Sequence, residues 1–168
     1  MRNREQKYYK LEQKMRPYAA SIFDSGRFQE MDSTIQHGNT TTKEHVMNVA
    51  NISLKIGDVL RIRYSKRELV RGALLHDYYL YDWHDKSTED NNKPKIGHGH
   101  LHPTIALQNA EEDYELSDRE REIIERHMWP INVMRVPRSK EAWLVVAADK
   151  VATVAEFVNG NIIDRIRK

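Results

Sequence analysis

An all-α fold is what this sequence predicts, on three observations. Apolar residues recur at intervals of three and four along nearly the whole chain. No stretch alternates apolar and polar residues as a half-buried strand requires. Helix-start residues, Ser117 with Glu120, Ser139 and Pro103, stand just ahead of apolar rows. The expectation is a single domain over 1–168 holding about six or seven helices, with an N-terminal helical extension over 1–34 and a core over 35–158.

Each element follows from a local pattern. Tyr8, Leu11, Met15, Tyr18, Ala19 and Ile22 recur at helical spacing up to a break at Ser25-Gly26. Phe28, Met31 and Ile35 predict a short helix ended by Gly38-Asn39. An amphipathic helix is predicted from 41 to about 62, with Val46, Val49, Ala50, Ile52, Ile56, Val59 and Leu60 on its apolar face. Leu69, Val70, Ala73 and Leu74 make the next one. Residues 84–100, "HDKSTEDNNKPKIGHGH", read as a polar loop, and Pro103 as the start of a helix carrying Ile105, Ala106 and Ala110. The capping-box pair Ser117 and Glu120 precedes Ile123 and Ile124, and Pro130 and Pro137 bracket a loop. Ser139 caps a last long helix through Leu144, Ala147, Ala148, Val151, Ala152, Ala155 and Val158.

Composition narrows the class. The 168 residues are 39% hydrophobic and 31% charged, enough for one domain with a real core. No run approaches the roughly 20 apolar residues of a membrane span, and the segment "MRNREQKYYKLEQKM" lacks the apolar centre of a signal peptide. No membrane association and a cytoplasmic location are therefore expected. Cysteine is absent, which excludes disulfides and thiolate metal sites. A net charge of +2 is too small to argue for stable nucleic-acid binding, and the basic residues of the first 16 positions are diluted by Glu5 and Glu12.

Several polar residues fall where core is expected. His45 leads the row His45, Val49, Ile52, Ile56. His76 and Asp77, in "LLHDYY", follow Leu69 and Val70 by seven residues on the same buried stripe. His102 immediately precedes Pro103, and His127 continues the row Glu120, Ile123, Ile124. Asp149 lies inside the nearly apolar "VVAADKVATVA". One buried histidine is ordinarily a satisfied core residue, and one buried aspartate ordinarily meets an arginine. Five separate segments sending imidazoles and carboxylates inward is a different matter. That is the donor set a divalent cation needs, and a cation offsets the cost of burying the carboxylates.

These residues resemble the HD-domain superfamily of metal-dependent phosphohydrolases, whose signature is a helical His, an adjacent His-Asp and a late helical Asp. Here they are His45 in "KEHVMNVA", His76-Asp77 in "LLHDYY" and Asp149 in "VVAADK". Members with two metals add two histidines, whose places are taken by His102 in "HLHPTIALQNA" and His127 in "IIERHMWP". The stretches "YLYDWH" and "HMWP" resemble a bacterial branch of the superfamily.

The resemblance implies an all-α HD domain with one or two divalent ions, drawn from Fe, Mn, Zn, Co, Ni or Mg. It implies that His45, His76 and Asp149 hold the first ion, that His102 and His127 hold the second, and that Asp77 bridges them. It further implies that His76 and Asp77 are the catalytic pair. The implied reaction is hydrolysis of a nucleotide or another small phosphate ester by metal-activated water. Two alternatives stand beside it: a di-iron oxygenase on the same ligand pattern, and a non-catalytic nucleotide-sensing module.

Further polar groups are candidates for substrate contact. His37 lies just before the first ligand helix, and His84 and His98 lie in or beside the polar loop between ligand segments. Lys43 and Lys150 could neutralise a phosphate. A small phosphorylated substrate, of nucleotide type, is the expected partner, with homo-oligomerisation left open. "GHGH" lacks the spacing of a phosphate-cradling loop, and no serine elbow, zinc-protease helix or cysteine deaminase motif is present.

Overall fold

The computed structural model describes the backbone of residues 2–79 and 98–166, and side chains over 3–79 and 101–158. Seven helices are described: α1 (Arg2–Phe23), α2 (Gly26–Glu30), α3 (Thr42–Val59), α4 (Lys66–Leu75), α5 (His98–Asp113), α6 (Asp118–Arg126) and α7 (Lys140–Ile166). Among the described residues the fold is all-α apart from one small hairpin, β1 (Ile35–His37) and β2 (Thr40–Thr41). None of the described helices is long and apolar enough to cross a membrane.

α4 is the central helix. Leu69, Val70, Ala73, Leu74 and Leu75 are all fully buried, because α1, α3, α6 and α7 pack around it. Its approach to α6 depends on Gly72, where a Cβ would stand 2.6 Å from Ile123 Cδ1 and 2.9 Å from Ile123 Cβ. That closeness brings the C-terminal ends of α4 and α6 side by side. Buried Arg71 and Glu120 lock the pair, with Arg71 Nε donating to Glu120 Oε1 at 2.7 Å. Glu120 Oε2 meanwhile accepts from Ser117 N and completes the expected capping box. Glu141 ties in α7, accepting from Ser65 N at 2.8 Å and from Arg119 Nη1 at 2.7 Å.

Four expectations need correction. Ile35 belongs to a strand and is 43% exposed, and Gly38-Asn39 forms the hairpin turn instead of ending a helix. The extended preference of Thr34, Ile35, Thr40 and Thr41 prevails, and Gly38 supplies the positive φ of 58° that the turn demands. Pro103 lies inside α5, which begins at His98, while the rest of the polar segment, 84–97, lies outside the described residues. Val59 and Leu60 are exposed because α3 ends there. On α7, Ala142, Leu144, Val145, Ala148 and Ala152 enter the core. Ala147, Val151, Ala155 and Val158 face outward on a second apolar stripe.

The N-terminal helix is built into the packing. Met15, Ala19 and Ile22 of α1 are buried in the common core. Its path breaks at Ala19 (φ −146°, ψ 35°), two residues after Pro17, the helix-breaking feature in that turn.

Candidate metal centre

Local structure aims each candidate side chain. His45 lies in the first turn of α3, whose start is fixed by a reciprocal capping box between Thr41 and Glu44. His76 and His127 are the C-cap residues of α4 and α6. Helix ends leave carbonyls free, and both histidines use one. His76 Nδ1 donates to Ala73 O and His127 Nδ1 donates to Ile124 O, each at 2.8 Å. A carbonyl oxygen only accepts, so Nδ1 carries the proton and Nε2 presents its lone pair.

The segment after His76 is anchored from two sides. Tyr78 donates its hydroxyl to Asp113 Oδ2 at 2.8 Å, and its carbonyl accepts from Asn109 Nδ2 at 3.0 Å, both on α5. The Tyr79 hydroxyl donates to Gln36 Oε1, and Gln36 Nε2 donates to Asp77 Oδ2 at 2.8 Å. These tyrosines clamp the turn that carries Asp77.

The six expected side chains meet in one buried cluster. His45 Nε2 stands 3.2 Å from Asp149 Oδ1 and 3.8 Å from Asp77 Oδ2. His76 Nε2 stands 3.4 Å from Asp77 Oδ2. The other carboxylate oxygen, Asp77 Oδ1, lies 3.3 Å from His102 Nε2 and 3.4 Å from His127 Nε2. Those two nitrogens are 2.8 Å apart. Donors bound to one ion at about 2.0–2.1 Å stand roughly 2.9–3.4 Å from each other, and the observed separations bracket that spacing. Two overlapping triads could each hold an ion: His45, His76 and Asp149, and His76, Asp77 and His127, with donor atoms within 4.8 Å.

The polar accounting also fits a cation. His45 Nε2, His76 Nε2 and Asp77 Oδ1 are buried and make no hydrogen bond. Leaving such groups unpaired costs about 1–3 kcal/mol each, and all three belong to these triads.

Charge is distributed unevenly. For His45, burial pushes the pKa down, but Asp149 and Glu156 outweigh it and raise the imidazole to about 10. For His76, burial lowers it to about 4, helped by the neighbouring His127 and His45. Burial would raise Asp77, yet His76, His102 and His127 hold it well below the usual carboxylate range. Asp149 is depressed in the same way, burial being outweighed chiefly by His45.

The candidate substrate contacts divide. His37 is half-buried, edge-on to the His45 ring at 5.4 Å and against Phe157 at 4.9 Å. Lys150 is partly exposed and lies 2.7 Å from Asp149 Oδ2, at the rim of the cluster. The Lys43 ammonium is bound elsewhere, to Gln29 Oε1 at 2.6 Å with Asp32 at 3.7 Å. His84 lies outside the described residues, and His98 is described only as the backbone start of α5.

Sequence reasoning missed Glu156 and Gln36, which grip His45 and Asp77. For Glu156 a signal existed: it follows Asp149 by seven residues, two turns along the same face of α7. Gln36 carried none, since its reach to Asp77 depends on the hairpin.

A helical domain that gathers imidazoles and carboxylates from five segments around one buried point is, as a class, a candidate metal-binding domain. The family model described as HD domain matches residues 42–154, more than half of the chain, and the chain belongs to that family. The matched span contains all six clustered residues and ends before Glu156. Comparison with curated proteins and with solved structures returned no match.

Proposed function

We propose that this protein is a metal-dependent phosphohydrolase acting on a nucleotide or another small phosphate ester. The observation that carries this reading is the buried His-Asp cluster with three unpaired donor atoms pointing into it. Bound there, one or two divalent ions, of Fe, Mn, Zn, Co, Ni or Mg, would lower the pKa of a coordinated water and draw charge from a phosphoryl oxygen.

The chain's own residues divide the labour. His45, His76 and Asp149 form one donor group. His102 and His127 form another, and Asp77 reaches both because its two oxygens face opposite groups. Asp77 stays ionised, and His76 stays neutral at pH 7, so neither must change protonation to act as a donor. The carbonyls of Ala73 and Ile124, in the last turns of α4 and α6, hold His76 and His127 in the required tautomer. Lys150 can exchange its contact with Asp149 for a substrate phosphate at the rim. His37 flanks His45 on the side of Phe157 and is a second candidate contact. His84 and His98 belong to a stretch joining two donor segments and are proposed as further contacts.

The test is phosphate release from a panel of nucleotides and sugar phosphates, with each of the six metals supplied in turn. Turnover with at least one metal, abolished by chelation, is expected. A protein that cleaves no phosphate ester with any metal, but consumes oxygen as its ferrous form, would replace the hydrolase reading with an oxygenase.

A further inference from the structure

Four glutamates are buried among the described residues: Glu44, Glu120, Glu141 and Glu156. Three of them meet an arginine, Glu44 with Arg4, Glu120 with Arg71 and Glu141 with Arg119. Glu156 is the exception. Its Oε2 lies 2.8 Å from His45 Nδ1, and its Oε1 accepts from Asn48 Nδ2 at 2.9 Å. A carboxylate kept from water without an arginine is expensive unless its partner gives something in return.

His45 needs such a partner for a geometric reason. His76 and His127 fix Nδ1 on carbonyls freed at helix C-termini. His45 sits in a first turn, where the free backbone groups are N–H donors and no carbonyl is spare. An acceptor must come from another element, and α7 supplies it. Asp149 faces Nε2 of the imidazole, while Glu156, two turns on, takes Nδ1. Asn48, one turn along α3 from His45, holds the second oxygen of Glu156 and itself contacts Tyr8 and Lys7 of α1.

We infer that Glu156, held by Asn48, is the positioning residue of the metal centre: it fixes Nδ1–H of His45 so that Nε2 faces the ion. This rests on the proposed metal reading and extends it. Position 156 lies beyond the family match, and so do Lys7 and Tyr8, so the arm runs through this chain's own flanks.

The experiment compares wild type, Glu156→Gln and Glu156→Ala, each stripped of metal and reloaded with Co(II). Calorimetry reads the affinity of each ion, and visible absorption reads the ligand field. Loss of a partner behind a ligating imidazole costs about 10- to 100-fold in metal affinity. Glu156→Ala should show that loss for the ion at His45, with an altered cobalt spectrum. Glu156→Gln keeps an acceptor oxygen without the charge and should lose less. Any second ion should keep its affinity. If alanine prevents folding, glutamine carries the test. Wild-type affinity and an unchanged spectrum in the folded variants would overturn the inference alone. A wild type that binds no ion would overturn the metal reading and this inference with it.

Discussion

The His45 imidazole gives the metal-free protein an unusual dependence on pH. Buried between Asp149 and Glu156, it is raised from 6.5 to about 10. In the unfolded chain it returns to its ordinary value. A group whose folded pKa is raised contributes stability that is complete below the unfolded pKa and is lost as pH rises toward the folded one. Linkage between those two values gives a loss of about 2 kcal/mol from pH 7 to 8.5. For a chain of this size that lowers the melting temperature by roughly 4–8 °C. His76 acts in the opposite direction. Its folded pKa is depressed to about 4, so the unfolded chain takes up the proton first and stability falls as pH drops below 6.5. Metal-free protein should therefore be most stable near pH 6.5. An ion on Nε2 keeps His45 neutral in the folded state, so saturating metal should flatten the alkaline limb. Thermal melts of chelated and metal-loaded protein from pH 6 to 8.5 provide the assay. A chelated protein whose melting temperature holds or rises from pH 7 to 8.5 would refute the reasoning.

Other predictions follow from the same geometry. Asp77→Asn keeps the shape but removes the charge that faces both donor groups, and phosphatase turnover should fall 100-fold or more, about 3 kcal/mol of lost electrostatic stabilisation; near-normal turnover on the identified substrate would put the active centre elsewhere. At a free-ion concentration of about 100 times Kd, metal should add about 2.7 kcal/mol of stability, and an unchanged melting curve after thorough chelation would count against a metal site. His102→Ala and His127→Ala should each remove one metal equivalent and leave the other in place, as read by elemental analysis after dialysis; unchanged metal content in both would reassign them as substrate contacts. Gly72→Ala places a methyl group against Ile123 where α4 meets α6, and overpacking should cost about 1–3 kcal/mol by denaturant unfolding.

What could be read in the sequence was whatever depends on local periodicity. The rows Leu69-Val70-Ala73-Leu74 and Glu120-Ile123-Ile124-His127 place His76 and His127 on buried faces, and α4 and α6 carry them so. The Ser117-Glu120 pair marked a helix start because capping is a contact between near neighbours. The hairpin escaped because strands of three and two residues are too short to show alternation. Val151 and Val158 were misplaced because α7 has apolar residues on two faces, and only packing decides which face turns inward. Glu156 and Gln36 became visible only when α7 and the hairpin were folded against the cluster, since their partners lie 111 and 41 positions away in the chain. For Lys43, the competing acceptor Gln29 could not be foreseen from residues near it in the sequence.

The claim that the His-Asp cluster is a metal centre is tested most directly by anomalous diffraction from crystals of Mn-loaded protein, collected above and below the metal absorption edge. An anomalous peak is expected within about 2.0–2.3 Å of donor atoms from His45, His76 and Asp149, and, at full loading, a second peak near His127, His102 and Asp77. Crystals soaked in excess metal that show no anomalous density inside the cluster would contradict it.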